Sequence, residues 1–249
     1  MGNSPVTIES ARFCDFYGCL NGNMVSVADA VQAYIQAELG GNICWINLPR
    51  EAWPQWEDGT GLLKDPTEIH NHNLIVTQWN TMRNPMTILL MALYGHPDSV
   101  TMWETLCDTA VKAVGFAAVG AEWPSVYWHK ELKLLLIIYV DDFKLAGPEE
   151  NLSKGWALLR TKLNIGPEGP LGMYLGCNQK RDWMTLYDGA TANIVIYDME
   201  SFLVQCVERY LQCAPTGTKL KRASTPFLHD SGDFGPARNP TEDVGAHCE

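Results

Sequence analysis

Asp141 and Asp142 stand side by side at the end of a near-continuous apolar run, Leu132 to Val140, and Phe143-Lys144-Leu145-Ala146-Gly147 follows. An apolar run of strand length that leads into two acids reads as a buried strand ending at a charged tip. Two like charges held together are costly unless a positive partner lies between them, and a divalent cation is the usual partner for carboxylate oxygens. The natural third ligand is Asp29, which ends the short apolar strand Met24-Val25-Ser26-Val27-Ala28. Two antiparallel strands side by side, each ending in Asp, would bring the acids within reach of two ions about 3.5–4 Å apart, the arrangement for in-line displacement at phosphorus. Two plainer readings stay open at this point. An Asp-Asp pair also suits a turn or a solvated strand end, and Asp29 suits an N-cap for a helix behind it.

The elements that must position these acids read as follows. Residues 1–23 are irregular, with Gly18, Asn21, Gly22 and Asn23 as breakers. Ala30 to Leu39 are good helix formers stopped by Gly40-Gly41. Ile43 to Leu48 is a strand closed by Pro49, and Trp53 to Gly61 a loop. Residues 66–91 show no clean period; three of the segment's Asn residues (Asn71, Asn73, Asn80) lie near one another ahead of the apolar stretch Met86 to Met91. Trp103 to Val114 is a helix ended by Gly115, Ser125 to His129 a strand, and Leu134 to Val140 another. Pro148 with Glu149 and Glu150 opens a helix whose apolar positions are Leu152, Trp156, Leu159 and Leu163. Met173 to Asn178 and Trp183 to Tyr187 suit a hairpin around Gln179-Lys180-Arg181-Asp182. Met199, Phe202, Leu203, Cys206 and Tyr210 mark one face of a further helix, and a mobile tail is expected over 229–249. Strands and helices mix without strict alternation, which favours an α+β fold with helices on one face of an antiparallel sheet.

Five motifs in order carry a resemblance to the reverse transcriptase of copia-type retrotransposons. Val27-Ala28-Asp29-Ala30-Val31-Gln32-Ala33-Tyr34-Ile35 resembles the first catalytic motif, with an aromatic five positions after the Asp. Ala92-Leu93-Tyr94-Gly95, with Trp103 downstream, is similar to the family's second motif. Tyr139-Val140-Asp141-Asp142 resembles its catalytic hairpin, Leu171 to Gly176 its primer-gripping segment, and Ser224-Thr225-Pro226 a triplet after the thumb.

The resemblance implies an RNA-directed DNA polymerase domain of a Pol polyprotein: a polymerase palm with partial fingers and a partial thumb. Partial fingers would span 1–23, the first part of the palm 24–65, an unmatched insertion 66–91, the palm with hairpin and primer grip 92–187, and the thumb start 188–228. Asp29, Asp141 and Asp142 would be catalytic and would hold Mg2+ (or Mn2+), Asp29 and Asp141 as the main ligands, helped by the carbonyl of Ala30. Tyr34 would gate against a 2′-hydroxyl, beside Tyr94 and Gly95 at the nucleotide. Leu171, Gly172, Met173, Tyr174, Leu175 and Gly176 would hold the primer terminus. The implied partners are an RNA or DNA template with its primer, deoxynucleoside triphosphates and other Pol-derived chains.

The chain departs from the family's pattern at four places. The basic fingers strands that hold the triphosphate are expected to be truncated. His96-Pro97-Asp98-Ser99-Val100 stands where a Lys-Gln-(Ser or Ala)-Pro-Arg stretch is usual. Gly166 stands where a Lys usually precedes the primer grip, with Lys162 nearest, and residues 66–91 match nothing. The second functional reading is therefore a catalytically inactive relic of such an element, with binding or packing roles only. A third, an unrelated two-metal nuclease, gives no reason for the aromatic at 34.

The bulk numbers narrow the class. A 249-residue chain that is 46% hydrophobic can bury a sizeable core. A formal charge of −11 disfavours strong non-specific binding to phosphate backbones. The eight cysteines form no C-x-x-C pair, which suits reduced thiols inside the cell, cytoplasmic (in a virus-like particle) or nuclear. The longest apolar run is too short to span a bilayer, so no membrane partner is expected. His70 and His72 read as surface histidines, most of the nine tryptophans as packing residues, and Lys219, Lys221 and Arg222 as a basic cluster open to two readings, a contact to a nucleic-acid backbone or a solvated patch.

Overall fold

The structure, a computed structural model, describes residues 6–57 and 62–220. The chain divides into two units, Met1–Glu200 and Ser201–Glu249. In the first unit the order is α1 (Ile8–Cys19), β1 (Asn23–Asp29), β2 (Trp45–Asn47), α2 (Pro66–Thr81), β3 (Met86–Ile88), α3 (Ser99–Ala113) and β4 (Phe116–Gly120). Then come β5 (Trp123–His129), β6 (Leu134–Tyr139), β7 (Asp142–Pro148), α4 (Glu149–Arg160), β8 (Gly169–Pro170), β9 (Met173–Tyr174), β10 (Cys177–Thr185) and β11 (Thr191–Asp198). The fold is mixed α+β. Its main sheet has six antiparallel strands in the order β4-β5-β6-β7-β1-β8, beside a three-stranded β11-β10-β9 sheet and a two-stranded β2-β3 ladder.

The continuous apolar run of β6 is explained by burial on both faces of the sheet. Leu134, Leu136 and Ile138 enter a core with Trp103, Val111, Trp156 and Leu159 from α3 and α4. Leu135 and Ile137 enter a second core on the opposite face, with Ala11, Cys14, Val25 and Tyr174. A strand covered on one face alternates apolar and polar residues, and one covered on both does not. The expectation of helices on one face is thus corrected, because α1 lies on the other.

That helix occupies a stretch the sequence marks as irregular. Thr7 caps it by accepting from Ser10 N–H at 3.2 Å. Its buried side is a stripe of small residues, Ser10, Ala11, Cys14 and Gly18, with Asp15, rather than a row of large aliphatics. Gly18 does not break it: a Cβ there would collide with Val25, so the glycine lets α1 lie directly on β1.

The helix expected over 30–39 is absent. Ala30 N–H donates to Asp141 O at 2.7 Å and Val31 N–H to Asn164 O at 2.9 Å, so the backbone here is held by neighbouring segments. Gln32 has a positive φ of 53°, and only a short 3-10 turn forms at Tyr34–Gln36. Conversely, 66–81 is a sixteen-residue helix without an apolar stripe, burying only Val76. Its start is legible in retrospect: Asp65 caps Thr67 and Glu68 N–H, with Pro66 in the first turn. Residues 86–92 then return alongside 37–47, through β3 on β2 and the bonds Leu89 to Cys44, Leu39 to Leu90 and Ala92 to Ala37. The excursion over 48–85 therefore leaves from and returns to one ladder.

Further along, α3 and α4 form as expected, and β4 was missed because only Phe116 of it is buried. The hairpin expected around Gln179–Asp182 is displaced. Those residues lie inside β10, and the turn falls at Tyr187-Asp188-Gly189, where Leu186 and Ala190 close it. From Ser201 on in the second unit, α5 (Glu200–Cys213) is an amphipathic helix without a buried residue. Ser224-Thr225-Pro226, Lys221, Arg222, and the expected ends of the thumb and tail lie outside the described residues.

Candidate active site

The turn between β6 and β7 is two residues long, Val140-Asp141, closed by the pair Tyr139–Asp142. Val140 has φ of 53° and Asp141 does not share the left-handed region. A positive φ at the first turn residue alone is the type II′ pattern, which ordinarily takes glycine there. A β-branched residue held so costs on the order of 1–3 kcal/mol and persists only where surrounding contacts impose it. Those contacts are present. Trp103 Nε1–H donates to Val140 O at 2.6 Å, and Ala30 N–H donates to Asp141 O at 2.7 Å.

The sheet register then gathers the acids. Asp29, the last residue of β1, lies directly opposite Asp142, the first of β7. Residues opposite one another in an antiparallel pair present side chains to the same face. The strand beside β1 is therefore β7, which begins in Asp, rather than β6; Asp142 is the register partner of Asp29, and Asp141 sits one residue away on the turn. Asp29 is exposed, and Asp141 and Asp142 are half-buried. The Asp142 carboxyl is pushed up to about 6, first by burial, then by the charges of Asp141 and Asp29 and by its hydrogen bond with Asp29; Lys144 pulls the other way. Crowding of carboxylates that disfavours ionisation of one of them marks a place where positive charge is wanted, and hard oxygen donors of this kind suit magnesium or manganese. The side chains are not drawn to one centre: among the described residues no three of His, Cys, Asp and Glu form a ready-made cage.

On the side of Asp141, Tyr34 is half-buried with its ring centroid 4.4 Å from that of Tyr94. Burial, and then Tyr94 and Asp141, raise the Tyr34 hydroxyl above its ordinary range. Gly95 has φ of 92° and open space where a Cβ would stand. This loop is fixed to the start of α3, since the Ser99 hydroxyl accepts from Leu93 N–H at 2.9 Å and donates to Leu93 O at 2.7 Å.

The segment Leu171–Gly176 folds as β9 and a tight turn in which Leu175 and Gly176 both have positive φ. Met173 and Leu175 are exposed, whereas Tyr174 is buried. The Tyr174 ring lies 4.1 Å from Lys144 Nζ, which places this segment against the face of β7 that carries Asp142. Gly166 stands beside Asp29, to whose carbonyl its N–H donates at 2.9 Å, so no side chain reaches out from that position. Lys162 is exposed, and His72 is half-buried with Nε2 2.8 Å from Gln55 O.

Sequence reasoning missed the group beneath the carboxylates. Lys144 is fully buried, with Nζ donating to both Asp15 oxygens at 2.9 and 3.1 Å and to Gln179 Oε1 at 2.7 Å. Tyr197 O–H donates to Asp15 at 2.8 Å. The available signal was a lysine two places after Asp142 in an otherwise apolar strand, on the same face of the sheet. In the sequence Trp103 stands out by its place after the second motif, and its bond to the turn has no sequence signature.

Comparison with protein-family models, with curated proteins and with solved structures returns no match. Among the described residues no helix is long and apolar enough to cross a membrane.

Proposed function

We propose that this chain is the RNA-directed DNA polymerase domain of a copia-type retrotransposon, acting by two-metal nucleotidyl transfer. The observation that carries the reading is the meeting of Asp29 and Asp142 across β1 and β7, with Asp141 on the adjoining turn. The reading is supported by the contact of aromatic Tyr34 with Tyr94 and by the packing of Tyr174, within Leu171–Gly176, over Lys144 of β7, which suit a nucleotide site and a primer site. In this reading the six-stranded sheet with α3 and α4 is the palm, residues 1–23 belong to the fingers and the chain from 188 begins the thumb.

The reaction joins the primer 3′ oxygen to the α-phosphorus of a deoxynucleoside triphosphate and releases pyrophosphate. Asp29, Asp142 and Asp141 would hold magnesium or manganese, which when bound supplies Lewis acidity to the attacking and leaving oxygens. Tyr34, packed against Tyr94 with the two rings tilted, excludes a 2′-hydroxyl by shape. Met173 and Leu175, exposed on the β9 turn, meet the primer backbone, while buried Tyr174 anchors the turn. Gly95 leaves room for close approach of the nucleotide.

The test is extension of an oligo(dT) primer on poly(rA) with magnesium. Extension is expected in the unaltered chain and is lost in Asp29→Asn and Asp142→Asn. Absence of extension in the unaltered chain at low salt would overturn the proposal. It would favour an inactive relic, a reading supported by Gly166, which offers no proton donor beside Asp29.

A further inference from the structure

Val140 is the least comfortable residue in the site: a β-branched side chain at a positive φ, in a turn position that favours glycine. Something outside the turn must impose that conformation. Two carbonyls in succession have donors from different elements: Val140 O takes the indole N–H of Trp103 from α3, and Asp141 O takes the N–H of Ala30 at the end of β1. Trp103 is 1% exposed and packed in the core shared by α3, α4 and the sheet, so its N–H has a fixed position. At its first turn the same helix clamps Leu93 through Ser99, next to Tyr94 and Gly95.

We infer that Trp103 is a positioning residue: its indole N–H holds Val140 in the left-handed conformation and so keeps Asp141 joined to the end of β1, beside Asp29. With Ser99, it makes α3 a strut between the carboxylate turn and the Tyr94-Gly95 loop. The catalytic meaning of this inference rests on the polymerase reading, whereas its geometric content does not.

The geometry yields a rescue test. Trp103→Phe keeps a ring and removes the donor. Val140→Gly removes the reason the donor is needed, because glycine adopts positive φ freely. Two readouts apply: hydrogen exchange of the Ala30 amide by NMR, judged against amides inside β6 and β7, and the magnesium concentration for half-maximal primer extension. Trp103→Phe is expected to speed Ala30 exchange and raise the magnesium requirement by about tenfold each, the factor for one hydrogen bond of ordinary strength. The KM for template-primer should stay as it was. The double variant Trp103→Phe with Val140→Gly is expected to return both readouts towards the unaltered protein.

Unchanged Ala30 exchange in Trp103→Phe, or no rescue by Val140→Gly, would overturn the inference. If the unaltered chain does not extend primers, the polymerase reading fails, and the exchange readout still decides the role of Trp103. Should Trp103→Phe fail to fold, benzothienylalanine at 103, which puts sulfur in place of N–H at nearly constant shape, enters the same measurements with the same expectations.

Discussion

Asp142 bears the electrostatic cost of the carboxylate cluster. Its folded value is raised to about 6 from an ordinary 3.8, so the fold favours the neutral acid. Between those two values the folded chain holds more of this proton than the unfolded chain. The contribution to stability is therefore fully present below about pH 3.8 and lost as pH rises through 6. In metal-free protein at pH 8, Asp142→Asn is expected to stabilise by on the order of 1 kcal/mol, a figure reduced because the half-buried group is screened by solvent. That corresponds to a rise in Tm of roughly 2–4 °C for a unit of this size. At pH 3.5 the gain should vanish. Magnesium at pH 8 should raise the Tm of the unaltered protein more than that of the variant. Thermal unfolding by circular dichroism checks both, and equal Tm values for the two proteins at pH 8 without metal would contradict the account. The cluster itself was legible in the sequence, since an apolar strand ending in acid is a local pattern. Which acid faces Asp29 was not, because register is set by the whole β1–β7 ladder.

At the scale of elements, the buried Lys144–Asp15 pair ties four elements together. Lys144 belongs to β7, Asp15 to α1, Gln179 to β10 and Tyr197 to β11. Removing one partner leaves an uncompensated charge out of water, which costs about 3–5 kcal/mol, whereas replacing both by apolar residues of similar volume can be close to neutral. Lys144→Met and Asp15→Leu are each expected to lower stability by that amount, and the double variant to recover most of it. Chemical denaturation of all four proteins closes the cycle, and additive losses would show that the pair is not coupled. The same contacts explain why α1 was hard to read. A helix recognised by large aliphatics at helical spacing is visible to periodicity; one docked by Ala11, Cys14, Gly18 and a buried ion pair is not. The segment over 66–81 failed to show for the opposite reason, since it buries almost nothing and only its cap speaks for it. By contrast α4 was plain, because Leu152, Trp156 and Leu159 all enter the core.

At the scale of the whole molecule, charge decides how the chain meets a polyanion. The sequence holds 18 Lys and Arg against 29 Asp and Glu. Several cations are already engaged: Lys144 with Asp15, Arg160 with Glu168, Lys112 with Asp108, and Arg181 with the carbonyl of Asn23. With acids outnumbering cations, net repulsion opposes phosphate contacts, and each contact that does form adds roughly 0.9 to the slope of log affinity against log salt on a duplex. If about two contacts form, raising salt from 50 to 200 mM should weaken binding of a primer-template by only about tenfold. Weak binding with a shallow slope is thus expected, and affinity should rise when magnesium neutralises the carboxylates at the β1–β7 end. Fluorescence anisotropy of a labelled hybrid across a salt series measures the slope directly. A loss of a thousandfold over that interval would require about six contacts or more, and hence a basic surface that the charge balance of this chain does not provide. The Lys144→Met variant sharpens the comparison: its cation is fully buried, so the salt slope should be unchanged even where stability falls.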